Sequence, residues 1–175
     1  MGERQGRRRA GTAQRGAPSG AARDGDVYRW GAVRARVLSP SRLTGDANAD
    51  SLVLLLEVGG RRILLTGDLT GPNEDRVAGL CARGPDLYAL KVAHHGSRFS
   101  TSASFLTATE PRVAVISAGE NGYGHPAWQT LRRLDRAGAR IYTTRRNGTV
   151  TLTIAPSGAV KWRFTRSAKP RQVRD

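Results

Sequence analysis

Cysteine, histidine and long apolar runs are scarce in this chain of 175 residues, and each scarcity excludes a class of protein. The single cysteine, Cys81, rules out an internal disulfide and a zinc site built from several thiolates. No apolar run approaches the roughly 20 residues of a membrane-spanning helix, and the Arg-rich start lacks the apolar core of a secretory signal. We therefore expect one soluble domain without a signal peptide, whose cellular location stays open.

Acidic residues are also few, with 14 Asp or Glu against 29 Lys or Arg and a formal charge of +15. The basic side chains concentrate at both ends, so we expect residues 1–26 to be a disordered basic leader and residues 165–175 to be a basic tail. Residues 27–164 hold the apolar patterning of a folded domain. Basic arms can bind DNA through its phosphates, but they can equally be solvated tails.

Apolar periodicity predicts strands that alternate with helices. Gly59-Gly60 joins two apolar runs and indicates a β-hairpin, and Asn147-Gly148 indicates a second one near the end. Helices packed on a sheet are typical of α/β folds, and the hairpins imply that the sheet is mixed. The predicted strands are 27–38, 51–58, 62–65, 87–93, 113–117, 140–144, 149–154 and 160–164, and the predicted helices are 72–83, 102–108 and 126–137.

All three histidines lie in glycine-containing turns that follow predicted strands. His94 and His95 precede Gly96, and His125 stands between Gly124 and Pro126. Asp68 ends another predicted strand. Successive strand ends would then present a carboxylate and imidazoles along one edge, which is typical of hydrolytic metal sites.

Less specific interpretations of the same residues remain open. Asp68 could simply cap a turn, and the histidines could contact solvent. Because neighbouring residues on an extended chain point in opposite directions, at most one of His94 and His95 is expected to bind a metal. Ser97 lacks the Gly-x-Ser-x-Gly context of a nucleophile, and no phosphate-binding or dinucleotide-binding glycine loop is present.

Five blocks carry a family resemblance, among them Leu-Leu-Thr-Gly-Asp at 64–68, His-His-Gly-Ser at 94–97 and Tyr-Gly-His-Pro at 123–126. Together with residues 48–54 and 115–117, they resemble the C-terminal metallo-β-lactamase-like domain of ComEC-type DNA-internalisation competence proteins. The resemblance runs from about residue 27 to residue 154. It implies an αββα sandwich, with a mixed sheet and helices on one face, and a hydrolase site that holds a divalent metal, Zn or Mn.

The resemblance also implies roles for individual residues. Asp68 would be a bridging carboxylate and His125 a late metal-binding histidine, while His94 and His95 would supply a further ligand and a catalytic or substrate-contacting group. The expected site residues are Asp68, His94 and His125 for the metal, His95 and Ser97 for catalysis, and Lys91 and Asn48 for substrate binding.

One departure from the family pattern weakens the expectation of an autonomous enzyme. The early His-x-(His/Asp)-x-Asp-His cluster of such domains has no counterpart, because no histidine precedes His94. We therefore expect a partial domain that acts weakly or not at all on DNA phosphodiesters when alone, and that does not necessarily retain its metal. The alternative is an inactive nucleic-acid-binding half-domain or remnant. Expected partners are DNA, through the basic tails, and a ComEC-type membrane channel or an N-terminal half-domain at the bacterial membrane.

Overall fold

The computed structural model describes residues 21–85 and 87–173. Its strands are β1 (Val27–Trp30), β2 (Val33–Ser39), β3 (Val53–Val58), β4 (Arg61–Leu65), β5 (Ala89–Lys91), β6 (Val113–Ile116), β7 (Arg140–Thr143), β8 (Val150–Ile154) and β9 (Val160–Phe164). Its helices are α1 (Pro72–Cys81), α2 (Ala103–Thr109), α3 (Trp128–Arg136) and the single turn α4 (Thr144–Asn147), and Ala93–Gly96 forms a short 3₁₀ turn. Within the described ranges, no helix is long and apolar enough to cross a membrane.

The main sheet contains seven strands, and their spatial order is their order along the chain. Strands β1 to β4 pair antiparallel, and β4 to β7 pair parallel. The predicted Gly59-Gly60 hairpin joins β3 to β4, and both glycines adopt the positive φ that such a turn favours. The α/β class and the mixed sheet are thus confirmed.

One face of strands β3 to β7 is fully buried beneath the helices. A row of directly paired residues crosses five strands, and every member is at most 1% exposed: Leu55, Leu64, Leu90, Ala114 and Ile141. The apolar sides of α1, α2 and α3 pack into the same cluster. Burying a leucine side chain contributes roughly 1.5–3 kcal/mol, so this interface is the main source of stability.

The opposite face is covered only in part. The next row of paired residues contains Leu54, Leu65, Lys91 and Val115, which are half-buried, and the buried Tyr142. Strands β8 and β9 form a separate two-stranded sheet, whose aromatic rings pack on Tyr142 at 4.7 and 6.0 Å between centroids. The layers are therefore helices, a large mixed sheet and a small second sheet.

The second predicted hairpin is wrong. Asn147-Gly148 does not join β7 to β8, since β8 pairs only with β9 among the described strands. The fully buried Asn147 ends the helical turn α4, and its Oδ1 accepts a hydrogen bond from the Thr143 backbone N–H at 2.8 Å. The chain therefore leaves the first sheet at β7 and enters the second.

Other element boundaries differ from the prediction by a few residues. The predicted strand 27–38 is two strands, because the chain turns at Gly31, which has a φ of 57°. Helix α3 begins at Trp128 rather than at Pro126, since Ala127 is extended and occupies the N-cap position.

Both ends of the described chain pack against the fold. The Asp24 backbone N–H donates to the Pro40 carbonyl at 3.0 Å, and the Asp24 carboxylate pairs with Arg76. At the other end, the Arg171 N–H donates to the Ile141 carbonyl at 2.7 Å, and Val173 packs against the core. Residues 21–26 and 165–173 are thus attached to the domain, while the expected disorder of residues 1–20 lies outside the described residues.

Candidate functional site

The carboxyl ends of three adjacent parallel strands, β4, β5 and β6, bring the predicted site residues together. Asp68 follows β4 in the turn 66–68, the histidine pair follows β5, and Ser117 follows β6. Neighbouring strand ends are fixed to each other, because the Thr66 hydroxyl donates to the Lys91 carbonyl at 2.6 Å. Ligands of α/β sheets bind at this end of the strands, in the loops that the rigid sheet holds.

Asp68 lies between two basic side chains. Its Oδ1 is 3.8 Å from the Nε2 of His95 and 4.0 Å from the Nζ of Lys91, and both distances are too long for hydrogen bonds. The Asp68 backbone N–H donates to the Ser51 hydroxyl at 3.0 Å, which fixes the turn. Burial lowers the pKa of Lys91, although the Asp68 charge opposes this, and its ammonium donates to the Gly67 carbonyl at 2.9 Å.

The tautomer of His95 follows from its one hydrogen bond. Its Nδ1 is 2.6 Å from the Ser117 carbonyl oxygen, which can only accept, so Nδ1 carries the proton. In the neutral ring, the lone pair is then on Nε2, the nitrogen nearest to Asp68. Histidines that bind metals have this arrangement, in which a carbonyl fixes the opposite ring nitrogen.

His94 and His125 form a second pair. Their rings meet edge to face with 5.7 Å between centroids, and both Nδ1 atoms are buried without a hydrogen-bond partner in the described structure. A buried polar atom without a hydrogen-bond partner lowers the stability of the fold by roughly 1–3 kcal/mol, so we expect the two nitrogens to have a functional role. Burial, followed by the charges of His94 and His95, lowers the pKa of His125, which favours the neutral imidazole.

The backbone at the histidine pair is not extended, which overturns the argument that its two side chains must point in opposite directions. His94 has φ 46° and ψ 48°, and His95 has φ 51° and ψ 22°. Consecutive left-handed residues other than glycine cost about 1–3 kcal/mol each and cluster at functional sites. The turn directs His95 toward Asp68 and His94 toward His125.

One set of hydrogen bonds closes the loop of His125, and another bond holds this loop against the histidine turn. The Asn121 side chain accepts from the His125 N–H at 3.0 Å and donates to the His125 carbonyl at 2.7 Å. The Ala127 N–H donates to the Gly96 carbonyl at 2.8 Å. A Cβ at Gly96 would lie 2.7 Å from the Pro126 Cβ, so only glycine allows this approach.

Ser97 and Asn48 lie differently from the other predicted residues. Ser97 is 3% exposed, and its hydroxyl accepts from the Phe99 N–H at 3.3 Å, which makes it a cap of the turn. Asn48 lies in the loop before β3, and its carbonyl accepts from the Ser51 N–H at 3.2 Å. In the part of the chain that the structure describes, it reaches the site only through Ser51. Their proposed catalytic and substrate-binding roles remain predictions.

Sequence reasoning missed the residues that support the turn after the histidines. The Glu74 carboxylate, 4% exposed, accepts from the backbone N–H groups of Thr101 and Ser102. Arg133 donates to the carbonyls of Arg98, Ser100 and Thr101 at 2.9–3.0 Å. Their only sequence signal is a charge within an amphipathic helix, which is normally solvated.

The donor set fits a divalent metal in kind but not in number. Imidazole and carboxylate suit Zn or Mn, and the unpartnered Nδ1 atoms are free to bind. However, the described residues contain no group of three or more His, Cys, Asp or Glu side chains that could hold a metal ion. The structure provides two pairs of donors, each fewer than the three protein ligands that a catalytic zinc usually has.

The chain is similar in sequence to part of several longer bacterial proteins. It is 40% identical over 130 residues to ComE operon protein 3 of Bacillus subtilis strain 168. It is 35% identical over 135 residues to competence protein ComA of Neisseria gonorrhoeae, and 34% identical over 128 residues to recombination protein 2 of Haemophilus influenzae. These matches cover 72–75% of this chain and 16–19% of the relatives, so the chain spans less than a fifth of their length.

Two further comparisons add little. No family model matches the chain. A solved structure described as a metal-dependent hydrolase from Parabacteroides distasonis is similar with a TM-score of 0.44 and 14% identity, over 69% of this chain and 55% of that one. This likeness is too distant to bear on function.

Proposed function

We propose that this chain supplies the later portion of a metal-dependent hydrolase site that acts on DNA phosphodiesters during DNA uptake, with little or no activity alone. The observation that carries the proposal is the placement of two donor pairs, Asp68 with His95 and His94 with His125, at the carboxyl ends of the parallel strands. Similarity to proteins named for competence and recombination supports DNA as the substrate.

The two donor pairs support a division of roles between the histidines. His95 is held by Ser117 with its free nitrogen toward Asp68, which suits metal binding or proton transfer. His94 and His125 present unpaired buried nitrogens, which suit a metal ligand better than a general acid. Lys91 carries its ammonium beside Asp68 and would contact a phosphate oxygen.

The donor count supports the incompleteness of the site, because the described residues hold no group of three or more His, Cys, Asp or Glu side chains that could bind a metal. Each relative is about five to six times longer than the segment that this chain matches. We propose that further ligands come from outside this chain. They would lie in an N-terminal half of the same domain or in a separately encoded partner beside a DNA channel in the membrane.

NMR of the imidazole nitrogens tests the site, because the three histidines give a spectrum that can be assigned completely. We expect added Zn²⁺ or Mn²⁺ to perturb His94 and His125 together, and Asp68→Asn to remove the metal response of His95 alone. The exposed Asp75 offers the matched control, because Asp75→Asn should change nothing. Absence of any histidine response to either metal would refute the proposed metal site.

The expected weakness of the isolated chain has its own test. The 175-residue chain should cleave DNA barely above background with either metal. Strong metal-dependent cleavage that disappears with Asp68→Ala would show that the site is complete and that the proposed dependence on further ligands is wrong.

A second candidate is a nucleic-acid-binding module without catalysis, favoured by the formal charge of +15. Salt-dependent DNA binding that survives Asp68→Ala and disappears when the basic ends are removed would favour it. Metal-induced shifts at the histidines would favour the hydrolase site instead.

A further inference from the structure

A groove beside the histidine pair collects most of the exposed aromatic surface. Four aromatic side chains of the described residues are largely exposed, and three of them line this groove: Phe99 at 73%, Tyr123 at 86% and Trp128 at 49%. The fourth, Trp30, lies on β1 at the other edge of the sheet. Large exposed aromatic clusters on soluble domains are typical of binding sites.

The groove is continuous with the candidate site. It has a volume of about 510 Å³, which is within the ordinary range for ligand sites, and His94 and His125 line one side of it. The Tyr123 ring is stacked on that of His125, with 6.1 Å between centroids and 28° between planes. A ligand that lies on Tyr123 therefore also lies against the histidines.

Arginines accompany the aromatic rings. The Arg98 guanidinium lies over the Phe99 ring at 4.7 Å, and that of Arg132 lies over the Trp128 ring at 5.4 Å. A second groove shares Trp128 and extends to Arg136 along α3. Among the described residues that line the two grooves, none is acidic. The surface is therefore aromatic and cationic at once.

This combination selects one kind of ligand. Guanidinium groups attract phosphates, and exposed rings stack on bases, whose faces are free only in an unpaired strand. A duplex would present its phosphates to the arginines but would keep its bases out of reach of the rings. An acidic peptide would use the charges and leave the aromatic platform without a matching partner.

We propose that the groove formed by Phe99, Tyr123 and Trp128, with Arg98 and Arg132, binds a segment of single-stranded DNA and leads its backbone to His94 and His125. This assignment deepens the proposed function, on which it rests for its choice of DNA, by naming the form of DNA that enters the site. Bases would stack on Tyr123, whose ring lies on that of His125, and on Trp128, the first residue of α3.

Fluorescence anisotropy of labelled oligothymidine, with the whole 175-residue chain in EDTA, tests the groove without any catalysis. We expect tighter binding of the single strand than of its duplex with oligoadenine. Removal of one stacking ring costs about 1–3 kcal/mol, so Trp128→Ala and Tyr123→Ala should each weaken single-strand binding about 5- to 150-fold. Trp128→Phe, which keeps a stacking surface, should retain most of the affinity.

The control is Trp30→Ala, because Trp30 has a similar exposure but lies outside the groove. It should leave binding unchanged. Arg98→Gln should reduce the slope of log affinity against log salt by about 0.7, the value for one phosphate on a single strand. Arg29→Gln, an exposed arginine on β1, should reduce it less.

The groove assignment fails if the duplex binds as tightly as the single strand, or if Trp128→Ala and Tyr123→Ala bind like the unchanged protein. It also fails if Trp30→Ala weakens binding equally, since the effect would then be general. Because EDTA removes metals, these results do not depend on the histidine spectra, and either proposal can fail while the other stands. Circular dichroism should show that each variant is folded.

Discussion

Replacement of Glu74 by alanine should destabilise the domain strongly, although Glu74 has no predicted part in the chemistry. Glu74 lies on α1 and is 4% exposed. Its two carboxylate oxygens accept the backbone N–H groups of Thr101 and Ser102, in the turn that leads from the histidines into α2. Glu74 also attracts the Arg133 guanidinium, whose pKa is nevertheless lowered by burial.

The expected magnitude follows from the donors that Glu74→Ala leaves behind. Thr101 is 1% exposed, so its N–H would remain buried without an acceptor, whereas water can reach the half-buried Ser102. An unsatisfied buried donor costs about 1–3 kcal/mol, and the loss of the second charge-assisted hydrogen bond, from the Ser102 N–H, adds to this cost. We therefore expect a loss of about 2–4 kcal/mol, and a smaller loss for Glu74→Gln, which keeps one acceptor oxygen.

Urea denaturation followed by circular dichroism measures this loss at constant m-value. Glu57→Ala is the matched control, because Glu57 makes a partly exposed ion pair with Arg34 at 2.5 Å, which is worth only about 0–1 kcal/mol. If Glu74→Ala costs less than about 1 kcal/mol, or no more than Glu57→Ala, the turn does not depend on the carboxylate and our reasoning is wrong.

Three further predictions concern the site and its surroundings. Gly96→Ala should lower the free energy of unfolding, measured in urea, by about 2–4 kcal/mol, because strain at φ 82° adds to the close contact with Pro126. Gly124→Ala, at φ 72° with open space around it, should lower it by only about 1 kcal/mol. The pKa of His125 is lowered in the folded state, so protonation of this imidazole favours the unfolded chain. The melting temperature should therefore be highest above the unfolded pKa of about 6.5 and should fall as the pH drops toward the folded pKa. If His125→Asn does not flatten this pH profile, His125 is not its cause. Glu110→Gly should raise the free energy of unfolding by about 0.5–1 kcal/mol, since the exposed Glu110 ends α2 with a left-handed φ of 42°, and a lower melting temperature would contradict this.

The strands that build the site could be predicted because their signals are local. The apolar runs of β3 and β4 flank Gly59-Gly60, and β5 and β6 are short apolar runs bounded by breakers. The prediction failed at Asn147-Gly148, where the same dipeptide that closes hairpins ends a helical turn instead. Tertiary contacts decide that choice: Asn147 is fully buried and donates to the Lys169 carbonyl at 3.0 Å.

The chemistry of the candidate site was only partly predictable. Asp68, His95 and His125 could be placed at one edge of the sheet because each follows a predicted strand. The sequence does not indicate that His95 lies beside Asp68 and His94 beside His125. It depends on left-handed backbone at His94 and His95, which is unfavourable for these residues in isolation and is imposed by the surrounding contacts. The aromatic groove joins two distant segments of the chain, residues 94–99 and 123–129, so no local sequence spacing indicates it.

The strand order of the large sheet has a consequence for how the chain folds. Every strand of this sheet after β1 pairs with the strand that precedes it along the chain, so no strand must wait for a distant segment to be inserted between its neighbours. Contacts between consecutive elements close short loops and cost little chain entropy, which favours rapid assembly from one edge. The sheet can therefore grow strand by strand as the polypeptide leaves the ribosome, with β8 and β9 docking last on the half-covered face.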